Sequence, residues 1–271
     1  MRRITIMFST RTMLINVTCL ALILFPIFNA NIVHGEAGQW SVANNSLPSG
    51  KMGAVSVEVN GYIYEIGGDN GVGPTSDVYF TKTNPDGSVG PWTISNNQLP
   101  NVMQGGSAIA ANGYIYVVGK DYISTTTTNV YYAQLNEDGT TGAWLTSSSL
   151  LPIAESGATM VEHNDYIYVI GGNNGYSNWL YDTVYFTHLN SDGSLDPWSL
   201  SSSLLPEGRL NATSVIANGY IYEMGGYSLT PAGFVAESTV YYAHITSDGT
   251  LDSWVASTNS LPSARAILLQ Q

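Results

Sequence analysis

The chain has 271 residues, and its eight Lys and Arg stand against twenty Asp and Glu, a formal net charge of −12. A surface of that sign is a poor partner for nucleic acid or an anionic membrane, both of which are held by cationic side chains. The acidic residues are spread along the chain with no run of like charge, which suits the solubility of an extracellular domain.

Residues 1–35 read as an export signal. Arg2, Arg3 and Arg11 give a basic start, Met13 to Phe28 an apolar stretch, and Val33-His34-Gly35 or Gly35-Glu36-Ala37 a small-residue cleavage site. An uncleaved anchor is the competing reading, but Asn16, Thr18 and Pro26 interrupt the stretch, and a span needs roughly 20 apolar residues. The expected product is secreted or held at the cell surface, with no membrane insertion after cleavage. Cys19, the one cysteine, lies inside the signal and outside any lipoprotein-type context. Residues 36–271 then form no disulfide, so the fold must be stabilised by packing. Their basic residues are Lys51, Lys82, Lys120, Arg209 and Arg265.

From Trp40 onward the chain is periodic. Trp40, Trp92, Trp144, Trp198 and Trp254 are separated by 52, 52, 54 and 56 residues, a period that marks a repeat architecture. A proline follows each by eight residues (Pro48, Pro100, Pro152, Pro206, Pro262). Fourteen residues after the first four prolines, Tyr-Ile-Tyr begins at Tyr62, Tyr114, Tyr166 and Tyr220, and five residues further stand Gly67, Gly119, Gly171 and Gly225. Val-Tyr opens at Val78, Val130, Val184 and Val240, and Asp-Gly follows at Asp86, Asp138, Asp192 and Asp248. Only the Gly-to-Val interval varies, at 11, 11, 13 and 15 residues. One loop per unit is free to change length.

Short apolar runs bounded by Gly, Pro, Asn and Asp predict four strands per unit, in the first unit over 52–59, 62–66, 78–83 and 92–95. Asn60-Gly61, Asn112-Gly113, Asn164-Asp165 and Asn218-Gly219 predict tight hairpins between strands one and two, because both central residues of such a turn need positive φ. The Asp-Gly pairs predict the turn between strands three and four. Strand two is apolar on both faces, as it must be when each small sheet lies between two others. That is the organisation of a propeller blade, and the repeated tryptophans, Trp92 among them, are expected within its packing.

A unit of about 50 residues with Ile-Tyr, an apolar pair, Gly-Gly, a later Val-Tyr and then Trp resembles the kelch repeat, of the superfamily that includes the galactose oxidase central domain. The expected fold class is all-β, a kelch-type propeller over residues 36–271. Its complete four-stranded blades are expected at about 48–95, 100–147, 152–201 and 206–257, with a partial fifth from 262. Gly67-Gly68, Gly171-Gly172 and Gly225-Gly226 carry the pair, whereas the second unit has Gly119-Lys120, which predicts a different exit from its sheet. In kelch propellers one terminus commonly supplies a strand to the blade begun by the other. Trp40 resembles such a strand, but the unit opened by Pro262 stops at Gln271. The chain therefore reads as part of a longer propeller, with a closed four-bladed ring as the alternative.

The resemblance implies architecture and little chemistry. The copper radical oxidase of the superfamily needs a cysteine cross-linked to a tyrosine, which residues 36–271 do not contain. Sialic acid mutarotases share the fold, but none of their motifs is found. His163, His188 and His244 are the histidines after the signal; the last two share a position taken by Lys82 and Gln134 in the other units, which suits a solvent-facing strand site. Asn84-Pro85-Asp86-Gly87-Ser88 and its counterparts are rich in oxygen but lack the closing glutamate of an EF-hand, so a turn explains them without calcium. No catalytic residue, metal or cofactor is expected.

The length changes gather on one face with unrepeated aromatics: Tyr122, Tyr176, Trp179, Tyr181, Tyr227 and Phe234. Large aromatics on loops of a rigid scaffold hold sugars or protein surfaces. These residues are the expected ligand-binding set, for an extracellular glycan or protein. The competing reading has them folded back as a roof over their own blades. A fragment of a mutarotase-like sugar-modifying enzyme and a purely structural surface module are the alternative functions.

Overall fold

A computed structural model describes residues 41–121, 128–153, 156–174 and 179–266. Contacts divide the chain into two units, Met1–Val42 and Ala43–Gln271, and every described strand belongs to the second. The expected export signal, Trp40, Tyr122, Tyr176 and the tail 267–271 lie outside the described residues.

The second unit consists of four four-stranded antiparallel sheets, each built from consecutive strands. Sheet one is β1 (Val55–Val59), β2 (Tyr62–Ile66), β3 (Val78–Lys82) and β4 (Thr93–Ile94). Sheet two is β5 (Met103–Ala111), β6 (Tyr114–Asp121), β7 (Val130–Gln134) and β8 (Leu145–Thr146). Sheet three is β9 (Thr159–His163), β10 (Tyr166–Ile170), β11 (Val184–His188) and β12 (Ser199–Leu200). Sheet four is β13 (Thr213–Ala217), β14 (Tyr220–Met224), β17 (Val240–His244) and β18 (Val255–Ala256), with a separate hairpin, β15 (Tyr227–Thr230) and β16 (Gly233–Ala236), in its variable loop. The first strand of sheet one starts three residues later than the sequence predicts, because Gly53 sits at φ +64° and Met52 bridges to Asp69 instead. Four such sheets are consistent with the blades of a propeller.

The turns follow from their residue types. Asn60 and Gly61 stand at φ +53° and +77°, and Asn164-Asp165 takes the same conformation without a glycine. At each Asp-Gly turn the aspartate Oδ1 accepts bonds from the backbone N–H and the hydroxyl of the residue two further on, 3.0 and 2.7 Å at Asp86–Ser88. Asp138, Asp192 and Asp248 repeat the arrangement. These hydroxyl bonds hold the carboxylates below their usual range, and at Asp248 a further bond from the Thr246 hydroxyl, at 2.6 Å, is the largest cause and brings it to about 2.

Two successive positive-φ glycines turn the chain out of strand two. Gly68 stands at φ +78°, and a Cβ there would lie 2.7 Å from that of Ala54. Its N–H donates to Met103 O of the next sheet, as Gly172 does to Arg209 O and Gly226 to Arg265 O. Where Lys120 replaces the second glycine, β6 runs on to Asp121 and pairs with Met103 and Gln104 across a bulge. This is the different exit that the sequence predicts.

The sheets pack face to face through three apolar cores. The first lies between sheets one and two, the second between two and three, the third between three and four. Each uses one clamp: the second tyrosine of Tyr-Ile-Tyr is buried and donates its hydroxyl, at 2.8 Å, to the glycine carbonyl of the next sheet's Asp-Gly turn. The pairs are Tyr64 with Gly139, Tyr116 with Gly193 and Tyr168 with Gly249. Burial pushes the Tyr64 phenol up to about 12 and raises those of Tyr116 and Tyr168 as well.

First strands line the inside, β1 beside β5, β5 beside β9 and β9 beside β13. Ahead of them runs a chain of backbone bonds from Gly105 N to Gly53 O, Gly157 N to Gly105 O and Asn211 N to Gly157 O. Among the described residues no core and no strand contact joins sheet four to sheet one. The repeated tryptophans are unequally buried: Trp144 and Trp254 are buried against the preceding sheet, whereas Trp92 and Trp198 are half-buried.

Candidate functional site

Antiparallel order puts the Asn-Gly and Asp-Gly turns at one end of every sheet and the strand-two-to-three loops at the other. The starts of the four first strands share that loop end, since Val55 pairs with Ile66 and Thr213 with Met224. Between them opens a cavity of about 490 Å³, walled by 53–56, 105–108, 157–160 and 211–214. Its wall side chains are Ala, Ser, Thr, Val, Met and Asn, with glycines between them and no charged group. The loop bases are pinned to this rim by the bridges Met52–Asp69, Ser156–Asn173 and Leu210–Tyr227.

Behind the wall stands an unpaired acid. Glu223 on β14 is fully buried, and its Oε2 accepts hydrogen bonds from the hydroxyls of Thr159, at 3.1 Å, and Ser214, both of which line the cavity. Its Oε1 has no partner. Burial raises its carboxyl to about 7, against the lowering effect of the two hydroxyls and of Arg209. The signal in the sequence is plain in retrospect: Glu65 and Glu223 occupy a strand-two position where Val117 and Val169 stand in the other sheets. A second hidden feature is a buried cation three residues after the proline. Lys51 bonds Asp77 at 2.7 Å and lies over the Tyr79 ring; Arg209 bonds Glu207 at 2.6 Å and lies over that of Tyr241.

The aromatic set divides. Trp179 is 77 % exposed, so it does not roof its own sheet. Tyr181 is half-buried and holds the seam between sheets three and four: its N–H donates to Gly172 O and its carbonyl accepts from Arg209 N. Tyr227 and Phe234 sit on the two strands of the extra hairpin with their rings in edge contact, centroids 6.2 Å apart, and Phe234 is 37 % exposed. Tyr122 and Tyr176 lie outside the described residues, so Trp179, Tyr181, Tyr227 and Phe234 are the members placed at the loop end. Two of the three histidines pair with aspartates across the far turns, His244 Nδ1 with Asp252 at 3.1 Å and His188 with Asp196 at 3.8 Å. Among the described residues no group of three or more His, Cys, Asp or Glu is placed to hold a metal ion.

No family model matches the chain, and no curated protein does. Solved structures do: 272 chains match, among them the structure of YjhT, with a TM-score of 0.64 and 18 % identity over 86 % of this chain and 77 % of that one. A likeness at that identity is a likeness of fold.

Proposed function

We propose that this chain is an exported, non-catalytic kelch-type propeller module that binds an extracellular carbohydrate or protein surface through its loop end. The observation that carries the reading is Trp179, a large aromatic left 77 % exposed on a loop whose scaffold is otherwise packed. Phe234 on the inserted hairpin adds a second exposed ring at that end. Such rings cover roughly 150–250 Å² of a partner each and supply stacking faces for sugars or protein side chains. The neutral lining of the adjoining cavity suits an uncharged polar ligand group. Screening the exported chain on glycan and protein arrays tests the proposal. Trp179→Ala and Phe234→Ala should each weaken a captured ligand about tenfold or more, in the manner of interface hot spots, and leave the melting temperature unchanged. Loss of stability with unchanged binding would return these rings to a structural role.

One observation favours the enzyme alternative. A carboxyl poised near neutrality behind two cavity hydroxyls is the type of group that moves protons in catalysis. Sugar turnover that disappears in Glu223→Gln while binding persists would establish it in place of the binding module.

A further inference from the structure

We propose that the cavity takes the primary ammonium group of a polyhydroxylated amine, such as an amino sugar, with Glu223 as its counter-ion acting through Thr159 and Ser214. The proposal rests on the reading of the loop end as a binding surface, and it names the chemistry that one wall of the cavity selects.

The polarity of that wall is set by where its protons go. The hydroxyls of Thr159 and Ser214 both donate to Glu223 Oε2, so lone pairs are what they keep for the cavity. Backbone donors beside them are spent as well. The N–H groups of Gly105, Gly157 and Asn211 donate to the carbonyls of Gly53, Gly105 and Gly157, and that of Met160 donates to Ser107 Oγ at 3.0 Å. A group that only donates fits such a wall, and an ammonium has three donors and no acceptor.

The charge behind the wall favours the same group. Glu223 Oε1 is buried with no partner, and Arg209 is the cation whose attraction acts on the carboxyl. That guanidinium is already engaged, by Glu207 at 2.6 Å and Glu237 at 3.9 Å. Tyr241, which pairs with Glu223 across β14 and β17, turns its hydroxyl to Glu207 at 2.8 Å. Three carboxylates therefore share one guanidinium, and the cluster is short of positive charge once Glu223 ionises. Among the described lining residues none is charged, so a ligand cation is what would supply it. The other walls suit the rest of the ligand. Ser56, Ser107 and Thr213 bring hydroxyls, while Ala54, Val55 and Ala158 bring small apolar surfaces for C–H groups. The volume of about 490 Å³ lies within the range of roughly 300–1,000 Å³ usual for small-molecule sites. A lysine side chain carries the same ammonium on an apolar stem, which would leave those hydroxyls without partners.

Calorimetric titration with glucamine and with sorbitol, which has a hydroxyl in place of the terminal ammonium, tests the charge. Glucamine should bind about tenfold or more tightly than sorbitol at pH 8, and Glu223→Gln, which keeps the shape and removes the charge, should erase the difference. Burial raises the Glu223 carboxyl to about 7, so the group is protonated at pH 5 and glucamine affinity should fall about tenfold or more there. Amide NMR shifts confined to 157–160 and 211–214 would place the probe in the cavity. Equal affinity for the two polyols, a preference that survives Glu223→Gln, or tighter binding of Nα-acetyl-lysine methylamide than of glucamine would each overturn the proposal. An array ligand that lacks an amino group, depends on Trp179 and ignores Glu223→Gln would overturn it and leave the loop-end reading standing. Blank arrays together with no glucamine binding would overturn both.

Discussion

At the scale of single residues, the chain uses hydroxyl-to-carboxylate bonds to shape turns and leaves one carboxyl in conflict with its surroundings. Asp138→Ala and Asp192→Ala should each lower the melting temperature, since the turn loses two bonds to Thr140 or Ser194, and calcium should leave the melting temperatures of these variants and the parent unchanged. The pH dependence is distinctive. Asp248 has its folded pKa depressed to about 2, so its contribution is complete above the ordinary carboxylate value near 4 and is lost as pH falls toward 2. Asp248→Asn should flatten that part of the acid melting curve.

Glu223 behaves in the opposite sense. Its folded pKa is raised to about 7, so folding favours the protonated form; its contribution is complete below about pH 4 and is lost as pH rises to 7. Glu223→Gln should therefore raise the melting temperature at pH 8 and leave it nearly unchanged at pH 4. Thermal melts at the two values check it. The sequence shows this glutamate only as an acid within an apolar strand. Its burial depends on sheets three and four meeting, which brings Thr159 to Oε2 across 64 residues of chain.

At the scale of the element, identical motifs have unequal weight. Tyr168→Phe removes the bond to Gly249 O and leaves that buried carbonyl without its donor, a loss of about 1–3 kcal/mol. Tyr222→Phe should be nearly neutral, because the half-buried Tyr222 hydroxyl has no acceptor among the described residues. Denaturant unfolding of the two variants measures the difference directly. Tryptophans divide in the same way. Trp144→Ala should cost roughly 3–5 kcal/mol, as truncation of a buried aromatic does, and Trp92→Ala less. In the sequence Tyr168 and Tyr222, or Trp144 and Trp92, are equivalent; their burial separates them.

At the scale of the whole molecule, the repeat itself determined the class of structure. The Trp, Pro, Tyr-Ile-Tyr, Val-Tyr and Asp-Gly intervals encode four antiparallel strands per sheet because they are local: φ-permissive residues at turns and apolar runs between them specify a hairpin within some fifty residues. The candidate site was legible only as a set of aromatics confined to the variable loops, and the structure separates the exposed Trp179 from Tyr181, which holds a seam between sheets. Tertiary structure alone decided the rest: the cavity between first strands, the buried Glu223, and the lesser burial of Ile63, Tyr222 and Met224 than of their counterparts in the other sheets. Each of these arises where residues from different repeats meet. Repetition in sequence specifies what one sheet offers its neighbour, whereas burial and charge state depend on what that neighbour brings to the contact.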